Sequence, residues 1–367
     1  MRVVVLGGYG NFGARISRVL SRDGIEVIAA GRDPERGHLE AGFDANIGKA
    51  RVDVSDPRLT ESLHSLSPNI VIHCAGPFQG QDYRVALASL TAGAHYIDLA
   101  DGRAFVTGFA KAVDDAAWAA GLLAVTGAST LPALSSAVVD ALMDRFVTLD
   151  EIQISIAPAQ RAPRGTATLK AVFSYLGRPF QWLEQGSWRT AYGWQELRRL
   201  RFAEFGKRWA AACDVPDLEL FPARYPAAKT IQFRAALEFG AEHFLLAAVA
   251  SLRRCGIPVP IERWAAPLDR LATNLDRFGG ERGGMLVSLV GTNRGGQKVS
   301  AQWHLTADDN HGPEIPCMAA ILVAKKLMQG KLAARGAMPC MGLLTLDEFS
   351  PEFSRWAIRT KIEEVTL

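Results

Sequence analysis

Val3-Val4-Val5-Leu6 is an unbroken apolar run, the pattern of a strand buried on both faces, and it leads directly into Gly7-Gly8-Tyr9-Gly10-Asn11-Phe12-Gly13. Ala14, Ile16, Val19 and Leu20 then recur at helical spacing until Asp23-Gly24 stops the helix. The same alternation continues downstream. Residues 26–30, 49–54, 70–77, 94–99 and 122–127 predict five further strands, and helices are expected over 84–92 and 104–120. Six strands alternating with helices predict an α/β chain with a doubly wound, parallel Rossmann domain.

Near residue 150 the pattern changes. Glu151-Ile152-Gln153-Ile154-Ser155-Ile156 alternates polar and apolar side chains, as a half-buried strand does. Met285–Val290 and Lys298–Thr306 predict two more such strands, joined by a hairpin at Gly295-Gly296. In the second of them Val299, Ala301, Trp303 and Leu305 face one way, with Ser300, Gln302 and His304 on the other side. This switch near residue 150 marks the boundary between two domains.

Composition narrows the class without naming a chemistry. A 49% hydrophobic, 22% charged chain of 367 residues is globular and long enough for two or three domains. A net charge of +3 is too small to argue for nucleic acid. Cys74, Cys213, Cys255, Cys317 and Cys340 are scattered, with no Cys-x-x-Cys pair, which suggests neither a disulfide framework nor a metal site and points to a reducing, cytoplasmic setting. The apolar stretch 244–252 is shorter than a membrane span requires.

The glycine run carries the chemistry. Gly8-x-Gly10-x-x-Gly13 between a buried strand and a helix is a dinucleotide-binding arrangement. Gly8 is expected to allow a tight turn, Gly10 to let backbone approach a pyrophosphate, and Gly13 to let helix and strand close together. Asn11 and Phe12 open the helix, whose N-terminus attracts the anion. The second strand ends in Ala30-Gly31-Arg32 rather than in a carboxylate, with Asp33 next and Arg36 nearby. A guanidinium there suits a ribose 2′-phosphate, so NADP is expected over NAD; the alternative puts Asp33 on the ribose hydroxyls. Asp53 is expected either to accept from the adenine amine or to cap a turn, and Cys74-Ala75-Gly76 to let the nicotinamide approach the fourth strand.

These segments together resemble the saccharopine dehydrogenase-like family of NAD(P)-binding oxidoreductases. The resemblance rests on the opening Val5-Leu6-Gly7-Gly8-Tyr9-Gly10-Asn11-Phe12-Gly13, on Ala30-Gly31-Arg32-Asp33, and on His73-Cys74-Ala75-Gly76-Pro77-Phe78. It extends to Tyr96-Ile97-Asp98-Leu99-Ala100-Asp101 and Gly312-Pro313-Glu314-Ile315-Pro316. It implies a Rossmann domain over 1–132 and 312–367, and an α+β substrate and dimerisation domain over 133–311 with a mostly antiparallel sheet. A homodimer and a substrate bound between the strand tips and the second domain are also implied. One segment departs from the pattern. Where saccharopine-forming members carry a loop of the type Gly-Leu-Asp-Pro-Gly, this chain has Gly127-Ala128-Ser129-Thr130-Leu131-Pro132, without a carboxylate to pair an ammonium group.

Fourteen aromatic residues fall between 173 and 239, and residues 178–234 hold ten Lys or Arg against six Asp or Glu. Either these are core and contact residues beside a solvated face, or they wall a site for an apolar substrate with an acidic end. Candidates for proton transfer are Asp98 and Asp101 at the end of the fifth strand and His304 in the second domain. Tyr225-x-x-x-Lys229 has the spacing of a short-chain dehydrogenase pair but lies far beyond the sixth strand, so it is set aside. The sequence thus predicts an NADP-dependent oxidoreductase acting on a C=N, C=O or C=C bond. A non-catalytic NADP(H) sensor or scaffold is the alternative.

Overall fold

The computed structural model describes residues 1–35, 46–163, 166–260 and 276–367, with the backbone alone at 166–168 and 170. The chain divides into two compact units, residues 1–134 with 313–344 and residues 135–312 with 345–367.

In the first unit, strands β1 (Arg2–Leu6), β2 (Glu26–Gly31), β3 (Gly48–Arg51), β4 (Ile70–His73), β5 (His95–Asp98) and β6 (Leu123–Thr126) form a parallel sheet. Helices α1 (Asn11–Arg22), α2 (Leu59–Leu66), α3 (Arg84–Thr91) and α4 (Arg103–Ala119) connect them. Val3, Val4, Val5 and Leu6 are fully buried, as their continuous run requires. Ile16, Val19 and Leu20 bury the inner face of α1, each contributing about 1.5–3 kcal/mol. The strand order is β15-β6-β5-β4-β1-β2-β3, so the chain reverses direction across the sheet on either side of β1. The seventh strand, β15 (Gly336–Pro339), is not evident in the sequence. It arrives after a late helix, α9 (Ile315–Met328), and pairs in parallel with β6.

The second unit holds β7 (Thr148–Ala157), β8 (Pro179–Glu184), β9 (Ser187–Tyr192), β10 (Arg198–Phe202), β11 (Gly206–Ala212), β12 (Thr230–Ala236), β13 (Gly283–Thr292), β14 (Lys298–Ala307) and β16 (Ile358–Thr366). All pair antiparallel except β7 and β12, which run parallel. Helices α5 (Ser135–Leu142), α6 (Thr166–Tyr175), α7 (Asp217–Arg224), α8 (Gly240–Arg254) and α10 (Leu346–Arg355) complete it. Buried Ile152, Ile154, Val287, Leu289, Trp303 and Leu305 share one face of the sheet.

The end of the chain departs from the expected division. Residues 345–367 belong to the second unit, because β16 pairs with β14 along its whole length, from Ile358 opposite Ala307 to Thr366 opposite Val299. Only residues 313–344 complete the first sheet.

Candidate functional site

The turn after β1 is built from glycines for two distinct physical reasons. Gly7 has φ +75°, a left-handed conformation costly for any other residue. This places the turn one residue earlier than the sequence assigns it. Gly8 is required for space: a Cβ there would lie 2.8 Å from Ala29 Cβ and from the Val5 carbonyl oxygen. A Cβ on Gly13 would sit 2.3 Å from the Gly7 carbonyl oxygen. The amides of Gly7 and Gly8 donate to the Ala30 carbonyl at 2.8 and 3.1 Å, and Gly10 N–H donates to the Gly7 carbonyl at 2.9 Å.

This turn delivers the chain to α1 with Gly10 at its N-cap, where no side chain caps the helix and no acidic residue occupies the first turn. The N-terminus of α1 therefore presents backbone N–H groups and the positive end of the helix dipole without a resident carboxylate. Segment 313–328 fixes that first turn from the side. Glu314, buried at the start of α9, forms an ion pair with Arg15 of α1, and Arg15 Nε donates to Asn11 Oδ1 at 3.3 Å. Cys317 Sγ lies 3.6 Å from the Phe12 carbonyl.

The tip of β4 meets the same turn. Cys74 N–H donates to the Leu6 carbonyl at 2.8 Å, and a Cβ on Gly7 would lie 2.9 Å from the Ala75 nitrogen. Gln81 Nε2 staples the following loop through the carbonyls of Ala75 (2.9 Å) and Pro77 (2.7 Å). Gly8, Gly10, Asn11, Phe12, Gly13, Cys74, Ala75 and Gly76 thus converge at the C-terminal edge of the sheet. Burial pushes the Cys74 thiol well above its ordinary pKa, with the Asp98 carboxylate adding to the effect, so the thiol stays protonated.

On the far side of the turn, Arg32 is exposed at the end of β2. Arg36 lies outside the described residues. Asp53 caps its own turn, its Oδ1 accepting from Ser55 N–H (2.9 Å) and Ser55 Oγ (2.7 Å), and these bonds hold the carboxyl below the usual range. Tyr9, which the sequence reading passes over, reaches across to the edge of the sheet. Its hydroxyl donates to the Ala29 carbonyl at 2.8 Å and accepts from Ala50 N–H at 3.2 Å. The ring lies over Gly31, where a Cβ would come within 2.8 Å of it.

The three proton-transfer candidates have different surroundings. Asp98 is fully buried; its Oδ1 accepts from Gly127 N–H (2.8 Å), Ala100 N–H (2.9 Å) and Thr126 Oγ1 (2.9 Å), clamping the tips of β5 and β6. Burial outweighs these donors and raises its pKa to about 6. Beside it His73 sits in the core, Nδ1 3.0 Å from the Tyr96 hydroxyl, with burial lowering its pKa to about 4. Asp101 is exposed and accepts from Gln79 Nε2 at 3.2 Å. His304, expected on a polar strand face, is buried in the second unit, where the turn between β10 and β11 covers it and Nδ1 accepts from Ala203 N–H at 3.3 Å. Tyr225 is also committed in that unit, donating to Asp140 Oδ1 at 2.8 Å. Among the described residues no group of His, Cys, Asp or Glu side chains is arranged to hold a metal ion, and no helix is long and apolar enough to cross a membrane.

Comparison with known proteins gives the fold a relative. A model of the NAD dependent epimerase/dehydratase family matches residues 3–96, the stretch that holds the glycine turn. A search of curated protein sequences returns no match. Among solved structures, the apo saccharopine dehydrogenase (L-Glu forming) of Saccharomyces cerevisiae superposes over 100% of both chains with a TM-score of 0.69 at 13% identity. A DAP dehydrogenase of C. glutamicum, solved in complex with DAP, covers 96% of each chain with a TM-score of 0.50 at 15% identity. The chain has the saccharopine dehydrogenase fold.

Proposed function

We propose that the first unit binds a nicotinamide dinucleotide, NADP(H) in preference to NAD(H), and that the protein is an oxidoreductase acting on a C=N, C=O or C=C bond of a small molecule. The observation that carries this reading is the turn at 7–13. Left-handed at Gly7 and without room for a Cβ at Gly8 or Gly13, it feeds an uncapped helix N-terminus where the strand order reverses. A Cβ at Gly8 or Gly13 would push apart the backbone that shapes this turn, so the residues present suit a pyrophosphate at the helix N-terminus.

In this reading the backbone of residues 8–13 holds the pyrophosphate, Arg32 takes the ribose 2′-phosphate, and the Cys74-Ala75-Gly76 segment accepts the nicotinamide end. When bound, the nicotinamide supplies or accepts the hydride. Asp98 positions the loops after β5 and β6, because its carboxylate is shut away from solvent and its Oδ1 is spent on three donors. Asp101 is the exposed carboxylate left to exchange a proton with substrate, oriented by Gln79. The resemblance further supports a homodimer, and the scattered cysteines support a reducing, cytoplasmic setting.

A binding-only sensor is the competing reading, favoured by the burial of Asp98 and His304. Purified protein with NADPH and a panel of imine, keto-acid and enoyl compounds separates the two. Oxidation of NADPH above the blank with one class supports the enzyme. Tight NADPH binding without turnover on any of them overturns the enzyme in favour of the sensor.

A further inference from the structure

We infer that Arg51, at the C-terminal end of β3, is a second determinant of NADP(H) selectivity, placed beside Arg32 by the hydroxyl of Tyr9. This rests on the dinucleotide reading and adds a residue to it. Strand register sets the direction of the Arg51 side chain. In the parallel pairing of β2 with β3, Gly31 stands opposite Arg51 and Ala29 opposite Lys49. Opposed residues on neighbouring strands project to the same face. That face is the one on which Gly8 meets Ala29 and Tyr9 covers Gly31. The Arg51 side chain therefore leaves the sheet on the side of the glycine turn, next to the strand that leads into Arg32.

Charge supports the placement. Arg32 and Arg51 both act electrostatically on the Asp53 carboxylate, so the two guanidiniums share one neighbourhood. Both are exposed. Asp53 commits one oxygen to Ser55, which leaves the two arginines only partly neutralised. Two forked cations at the end of β2 and β3 suit a dianionic phosphate monoester, which has more oxygens than one guanidinium can satisfy.

Tyr9 holds the arrangement. Its hydroxyl lies between the Ala29 carbonyl and the Ala50 N–H, joining β2 to β3 one residue before Arg51. Among the described residues β3 is the edge strand, with β2 as its one neighbour in the sheet. Tyr9 is a positioning residue here, tying the phosphate-binding turn to the strand that carries the second cation.

The test is a fluorescence titration of the full chain with NADPH and with NADH, comparing wild type with Arg51→Ala, Arg51→Lys, Arg32→Ala and Tyr9→Phe. Arg51→Ala is expected to weaken NADPH about tenfold to a hundredfold, as loss of a charge-assisted hydrogen bond does, and to leave NADH within about twofold. Arg51→Lys should recover part of the loss, and Tyr9→Phe should reduce NADPH binding more than NADH binding. Equal loss of both cofactors in Arg51→Ala, or no loss of either, overturns the assignment while wild-type binding leaves the dinucleotide reading standing. A wild type that prefers NADH overturns it in the same way and moves the ribose contact to Asp33. A wild type that binds neither cofactor overturns both readings. Arg51 is exposed at an edge strand, so unfolding of the variant is not expected, and a circular dichroism melt checks it.

Discussion

Asp98 offers a direct measure of what the buried sheet edge costs. Its carboxylate is fully buried, and burial lifts its pKa from 3.8 to about 6 despite three donors on Oδ1. A raised folded pKa means that the folded state favours the protonated form. The stabilisation is therefore complete below pH 4 and is lost as pH rises through 6. A shift of two units corresponds to about 3 kcal/mol between those limits. Asp98→Asn keeps an acceptor at the Oδ1 position and stays neutral throughout, so it lacks this dependence. Its neighbour His73 has the opposite sign: burial lowers its pKa from 6.5 to about 4, so its contribution is present above pH 6.5 and lost as pH falls. That term is common to both proteins and cancels in their difference. Urea unfolding of wild type and variant from pH 4 to 7.5 should show the stability difference moving by about 3 kcal/mol in favour of the variant as pH rises. A flat difference, or one moving in favour of wild type, would refute the claim that burial outweighs the hydrogen bonds at Asp98.

Two further outcomes test the turn and the thiols. Gly13→Ala puts a methyl 2.3 Å from the Gly7 carbonyl oxygen, so it should destabilise the protein by about 1–3 kcal/mol and weaken both dinucleotides together, read by thermal melt and fluorescence titration. Cys255 is exposed, Cys213, Cys317 and Cys340 are buried, and burial raises the pKa of the Cys74 thiol. A thiol reagent at pH 8 should therefore label Cys255 rapidly in the native protein and the other four only on unfolding, as peptide mapping would show.

The parts of this fold that were legible in the sequence are those where burial leaves one choice of residue. Val3–Leu6 of β1 and all of β4 are buried, so they appear as continuous apolar runs, and the glycine turn is spelled by positions that tolerate no Cβ. The second sheet is harder to read because its edge strands face water. In β9 and β10 most residues are exposed, and β16 buries only Ile358 while carrying Arg359, Lys361, Glu363 and Glu364. Those charges protect an edge from pairing with other chains, and they also erase the apolar signal. Strand β15 is four residues ending in proline, too short for any periodicity. Within the candidate site, Tyr9 and Arg51 escape a linear reading because their roles depend on the register of strands far apart in the chain. Asp98 ends a strand, as its sequence position suggests, but its three donors come from the loop after β5, the last residue of β6 and the loop after it, which no local pattern reveals.

The interruption of the first unit by residues 135–312 bears on how the protein is made. A ribosome releases β1 to β6 long before β15, so β6 emerges as an unpaired edge and stays one until residue 339 has been synthesised. The ion pair that steadies the first turn of α1 is likewise delayed until Glu314 appears. The nascent sheet is thus finished late, after the chain of the second unit has passed through the tunnel up to residue 312. The same threading governs dissection: no single cut releases either unit whole, since 313–344 must stay with the first and 345–367 with the second. A self-standing first unit would have to be made as a fusion of 1–134 to 313–344 through an engineered linker.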